Sequence, residues 1–452
     1  MRDRLADAVR GRNADYVEVR VEESEASRLL FRGKDLEDIA RTVSMGGCVR
    51  ALVKGGWGFA SFNDLNSLEE MVELAIHQAR LVGDAGGRLA EAPVVQDTVA
   101  LALKRDPRQV PLADKVRLFA EYNRIMLGYS PAIQTTQTAY GDGYRKVYFA
   151  SSEGAYIEQE SMQIRAALVA MARDGTNIEQ AHEIVTSVDD YGRMEGLEEK
   201  AEAAAKRAVN LLSARPAKGG EYTVVLDSRL AGVFAHEAFG HLSEADHVYE
   251  NQRLREILVL GRRFGEDHLN ISDGGALPGY RGSIRYDDEG VPSSITPLIK
   301  DGILVGRLHS RETAAKMGEK VTGNARAISY RHRPLVRMTN TYIEQGSVPF
   351  QDMIADIKEG LYCRDMYGGE TTMEMFTFSA EEAFMIRNGR VAEPLRGVLL
   401  SGNVFTTLAN IDAIGNDLDF SGGNCGKNGQ SPLPVGTGSP HIRIRKCVVG
   451  GR

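Results

Sequence analysis

Nothing in this chain is built to cross a membrane or to grip a polyanion. Its longest uncharged apolar run, Ala166 to Ala172, is far short of the roughly 20 residues that a spanning helix needs. The opening residues, Met1-Arg2-Asp3-Arg4-Leu5-Ala6-Asp7, are charged throughout and lack the apolar core of an export signal. Basic residues are outnumbered by acidic ones, 55 to 62, for a net charge of −7. That balance leaves no general electrostatic footprint for nucleic acid. The four cysteines, Cys48, Cys363, Cys425 and Cys447, form no Cys-x-x-Cys pair. Scattered thiols in a chain of this size fit a reducing compartment better than a disulfide scaffold. The expectation is a cytoplasmic protein with no membrane or nucleic-acid partner. One local basic stretch, Arg331-His332-Arg333 with Arg337, is a candidate anion grip.

Two common catalytic signatures are also missing. Gly426-Lys427-Asn428 has Asn428 where a phosphate loop needs Ser or Thr, and Ser421 where its first glycine belongs. No Gly-x-Ser-x-Gly elbow marks a serine hydrolase.

What is present is an ordinary globular composition, 42% apolar and 26% charged over 452 residues, enough for two or three domains with their own cores. Val17, Val19 and Val21 alternate with charged residues as in a half-buried strand. Ser67-Leu68-Glu69-Glu70 reads as a capping box opening an amphipathic helix. Further helices are predicted over Leu112 to Leu127 and Leu197 to Leu212, with a hairpin turn at 151–154. Ser213 to Gly220 is the best linker. Tyr222 to Leu226 then restarts as a strand, and Asp227 or Ser228 can cap the next helix. Beyond residue 275 short strands are punctuated by glycine, with one late helix predicted over Pro349 to Gly360. The expected fold is α+β. An N-terminal α/β domain of mixed strands and amphipathic helices spans 1–215, and a C-terminal domain rich in antiparallel β-strands spans 216–452.

The most informative segment opens that second domain: His236-Glu237-Ala238-Phe239-Gly240-His241, with Cys425 far downstream in an expected glycine-rich loop. Two imidazoles and a thiolate suit zinc better than magnesium or calcium, and a catalytic zinc keeps a fourth position open. Glu237 stands where a general base could take a proton from an attacking water. The histidines are five apart, about 140° around an ideal helix. They can converge only through a π-bulge or a helix end, and Gly240 is where a break would cost least. A chance His-Glu-x-x-x-His is expected in about one such chain in a hundred, so the conjunction with Cys425 carries the weight. His247 is an alternative ligand. Glu244 and Asp246 read as a solvated helix face rather than as acceptors for the ligands. Asp287-Asp288-Glu289 reads as a turn.

The segment Val225 to His241, the stretch Arg333 to Tyr342 and the Cys425 surroundings resemble the TldD/PmbA metallopeptidases; Gly55 to Ser61 is a weaker echo. Retention of His236, Glu237, His241 and Cys425 resembles the TldD, catalytic, branch. The resemblance implies that His236, His241 and Cys425 bind one Zn2+ per catalytic chain and that Glu237 is the general base. It further implies a dimer, with a PmbA/TldE-type paralogue or with a second copy, enclosing a lumen. The implied substrates are unfolded or extended peptides, including leader segments of peptide precursors. Arg333, His332 and Asn340 are candidate donors to the scissile carbonyl. Two rival readings remain: a non-catalytic subunit whose metal is structural, closed by a fourth ligand such as His247, and an amidase of small substrates.

Overall fold

The computed structural model describes residues 1–372 and 374–451. The N-terminal half is one seven-stranded sheet: β1 (Tyr16–Arg32), β2 (Asp35–Val53), β3 (Gly56–Phe62), β4 (Gln96–Val99), β5 (Ile133–Ser151), β6 (Tyr156–Asp174) and β7 (Asn177–Ser187). Its order is β3-β2-β1-β5-β6-β4, with β7 also paired to β6. Only β4 runs parallel to its neighbour. The valine alternation noted above puts Val17, Val19 and Val21 on one face, beneath α1 (Arg2–Val9) and α2 (Leu68–Val82). On β6, Ile164, Ala166 and Leu168 pack on the same side beneath α3 (Leu112–Gly128) and α4 (Glu198–Ser213). All four helices therefore cover one face, and the other is free to meet the rest of the chain.

The C-terminal half holds an eight-stranded and a six-stranded sheet around a single large apolar core. Pairing is mainly antiparallel, with parallel exceptions such as Gly220–Leu226 beside Glu359–Thr372. The chain is α+β, as its sequence pattern implies. Charged side chains on the open face of the first sheet lock the halves together. Arg20 and Arg145 reach Asp288 at 3.3 and 3.1 Å, and Arg50 reaches Glu289 at 3.0 Å. Asp287-Asp288-Glu289 is indeed a turn, but a buried one.

Two local expectations need correction. No capping box forms at Ser67, because a 3-10 turn, Leu65–Ser67, capped by Asp64, already runs into α2. The late helix covers only Phe350–Ala355. From Glu359 the chain is a strand, and a Cβ at Gly360 would lie 2.6 Å from the Thr223 carbonyl oxygen. That close strand pairing wins over helix propensity.

Candidate metal centre

The strand Gly220–Leu226 leads into the helix Ser228–Phe234, whose start is capped by Asp227 accepting from the Leu230 N–H at 2.9 Å. Leu230, Ala231, Phe234, Ala238 and Phe239 are buried in the core, which anchors the segment. The helix then widens to a π-turn over Ala235–Gly240 and tightens to a 3-10 turn over His241–Ser243. The five-residue spacing demanded such a departure, since an i→i+5 turn brings residues five apart onto one side. Gly240 itself stays helical (φ −57°, ψ −51°). Its role is packing, because a Cβ there would sit 2.1 Å from Met338 Sδ.

Cys425 does not lie in a loop. It sits on the strand Asp419–Lys427, an edge of the six-stranded sheet, hairpinned to Gln430–Ser439 through Asn428 and Gly429, both at positive φ. Gly422 serves the contact with the first sheet: a Cβ there would meet Thr186 Oγ1 at 2.4 Å.

These elements bring together one ligand atom each from His236, His241 and Cys425, all within 4.8 Å of one another. Cys425 Sγ and His241 Nε2 are 3.4 Å apart. Two ligands on a common tetrahedral zinc, at the usual bond lengths, stand about 3.6 Å apart. His236 is buried, and its Nδ1 has no hydrogen-bond partner among the described residues. His241 Nδ1 meets Glu244 Oε2 at 3.1 Å, which aims Nε2 at the sulfur, the outer-shell arrangement usual for a metal-binding histidine. The donor set and its geometry fit zinc.

Electrostatics agree. Burial alone would raise the Cys425 thiol, but His236 and His241 outweigh it and bring the pKa down to about 5. Burial opposes the charge on His241, yet Glu244 and Cys425 hold its pKa well above the usual imidazole range. Glu244 is fully buried; Lys427 and His241 overcome its desolvation and lower it to about 2. Lys427 Nζ lies 3.1 Å from Glu244 and 2.7 Å from Asp246. Glu244 and Asp246 are thus not a solvated face. Glu244 is a buried support behind His241, with the half-buried Asp246 sharing its partner Lys427, and the His-x-x-Glu spacing at 241 and 244 was the available signal for it. His247 joins Glu244, at 3.8 Å, rather than the Cys425 cluster.

His236 and Glu237 line a cavity of about 750 Å³ between the open face of the first sheet and the strand Asp419–Lys427. Glu237 is partly exposed there, its Oε2 3.9 Å from His241 Nε2. The proposed carbonyl donors are elsewhere. Arg333 and His332 do not line this cavity, and Asn340 is buried and committed to Gly274, Gly282 and Ser283. Arg337 is wholly buried against Gln430, so the basic stretch is not an anion grip on the cavity.

Comparison with known proteins agrees with this architecture. Family models described as PmbA/TldA metallopeptidase domain 1, central domain and C-terminal domain match residues 17–79, 105–212 and 219–451. A metalloprotease of Synechocystis sp. is 50% identical, covering 97% of this chain and 95% of its own. A zinc metalloprotease TldD homolog of Saccharolobus solfataricus is 32% identical over 97% of each chain. The crystal structure of TldE from Thermococcus kodakarensis shares the fold, with a TM-score of 0.77, 17% identity and 97% of each chain covered. The class is that of the metallopeptidases, hydrolases of peptide bonds. Within it, the chain belongs to the PmbA/TldA metallopeptidase family. No helix among the described residues is long and apolar enough to cross a membrane.

Proposed function

We propose that this chain is a zinc-dependent peptidase of unfolded or extended peptides, leader segments included. His236, His241 and Cys425 would hold one Zn2+ per chain, and Glu237 would act as general base. The observation that carries the reading is the convergence of two imidazoles and a thiol beside a cavity lined by His236 and Glu237. When bound, zinc supplies Lewis acidity toward the scissile carbonyl and the attacking water. Glu237 takes the proton of that water and returns it to the leaving amine. Glu244 fixes the orientation of His241, and Lys427 pairs with both Glu244 and Asp246.

The strand Asp419–Lys427 contributes a sheet edge whose residues Asp419 to Asn424 line the cavity. An extended peptide can pair with such an edge through its backbone, whatever its sequence. This supports peptides over small amides as substrates. The position of His247 away from the Cys425 cluster argues against a closed, structural metal site. The rest of the reading is a cytoplasmic dimer, formed with a PmbA/TldE-type paralogue or a second copy, whose lumen only an unfolded chain enters. The test is incubation of zinc-loaded protein with a mixture of unstructured peptides, products being identified by mass spectrometry. Internal cleavage at many sequences is expected. An uncut mixture would defeat the reading.

A further inference from the structure

The cavity wall carries a second feature that peptide-bond hydrolysis does not use. On the open face of the first sheet, β6 sets Gln163 and Arg165 opposite Gly143 and Gly141 of β5. A Cβ at Gly143 would meet nothing within 4 Å, and one at Gly141 only the Ser27 carbonyl oxygen at 3.8 Å. The glycines thus floor an open recess of about 270 Å³ beside Gln163, Arg165 and Arg281. Both arginines also line the main cavity with Glu237.

Arg281 is only 9% exposed. Its guanidinium donates to Gly423 O at 3.1 Å, Gln163 Oε1 at 3.0 Å and Asn424 Oδ1 at 3.1 Å, all neutral acceptors. Among the described residues, no carboxylate pairs with Arg281 or Arg165, and Arg165 makes no side-chain hydrogen bond. The cavity's other partly buried arginine, Arg229, is paired with Asp365 at 3.0 Å. Leaving the buried Arg281 and the half-buried Arg165 without a counter-charge is costly, and arginine's planar fork matches a carboxylate. Burial lowers the pKa of Arg165 and, with Arg165's charge added, brings Arg281 down to about 10. Both remain cations at neutral pH.

We propose that Arg165 and Arg281 form a subsite for a carboxylate of the bound peptide, either its C-terminal carboxylate or an Asp or Glu side chain. The subsite rests on the peptidase reading. It is tied to the reaction centre because Arg281 is held by Gly423 and Asn424, the two residues that precede Cys425. A peptide lying along that strand presents its carboxylate to the recess, where it supplies the missing negative charge. Arg281 also braces the strand, so Arg165, whose side chain makes no hydrogen bond among the described residues, is the residue to test.

The test uses three fluorescent peptides of one sequence: a free C-terminal acid, its C-terminal amide, and that amide with one internal glutamate. Binding is followed by anisotropy with full-length, zinc-loaded Glu237→Gln protein, which holds peptide without cutting it. At least one carboxylate-bearing peptide should bind about ten- to hundred-fold more tightly than the neutral amide, and which one does so identifies the source of the carboxylate. Adding Arg165→Gln should reduce that advantage to about two-fold or less. Arg193→Gln, which removes the same charge from the exposed rim, should preserve it. Equal affinities for all three peptides, or an advantage that survives Arg165→Gln, would overturn the proposal. Cleavage of all three peptides by the unsubstituted protein is scored separately. If any is cut while no carboxylate preference exists, the subsite alone fails; failure to cut any of the three indicts the peptidase reading.

Discussion

Glu244 Oε2 lies 3.1 Å from His241 Nδ1, and Glu244 is completely buried. A buried carboxylate is tolerated only with compensation, which Lys427 supplies at 3.1 Å. The arrangement turns His241 Nε2 toward Cys425 and keeps the ring from rotating.

Glu244→Gln should therefore weaken metal binding without unfolding the chain. The amide oxygen can still accept from Nδ1–H, but the charge is gone. Zinc affinity should fall about 10–100-fold, measured by competition with a chelating dye. Unchanged affinity would show that Glu244 only balances Lys427.

Cys425→Ser removes the one thiolate of the cluster. The purified protein should carry about one zinc per chain and the variant close to none. Elemental analysis decides this, and zinc retained in full by the variant would remove Cys425 from the ligand set.

Asp288 joins the two halves. Arg20 and Arg145 outweigh its burial and hold its carboxyl below the ordinary aspartate range. A lowered folded-state pKa stabilises above the unfolded value near 3.9, and that contribution is lost as pH falls through the folded value. Asp288→Asn should cost about 3–5 kcal/mol near pH 7, as when one partner of a buried ion pair is removed. The gap to the unsubstituted protein should narrow below about pH 4. Urea unfolding across pH reads both, and a gap independent of pH would contradict the assignment.

Substrate state gives a further expectation. A folded domain must first unfold, at about 5–15 kcal/mol, before a chain can enter the cavity, and no phosphate-loop motif is present to drive that step. A denatured protein should be cut readily and its native form spared. Equal rates for the two forms, followed by gel electrophoresis, would point to an open surface cleft.

Much of this was legible in the chain itself. Period-two valines announced β1, and the apolar stripes of α2, α3 and α4 appeared where expected. The histidine spacing required a non-α turn and a π-turn is present. What stayed hidden depends on distant partners. Cys425 looked like a loop residue because Gly422, Gly423 and Gly426 suggest turns, whereas all three belong to the strand Asp419–Lys427. Glu244 looked solvated because the charge that compensates its burial is Lys427, nearly two hundred positions away. Arg165 and Arg281 meet only when the two halves close on each other, which no local pattern reveals.

Glu237→Gln, assayed for zinc content and peptide cleavage on the same preparation, decides whether Glu237 is the base. The substitution keeps size and hydrogen-bonding capacity but cannot accept the proton. Zinc should stay at about one per chain, while cleavage of an unstructured peptide falls by about 10²–10⁴-fold. Near-normal cleavage with zinc in place would contradict the assignment of Glu237 as the base, and with it the reaction derived for this cavity.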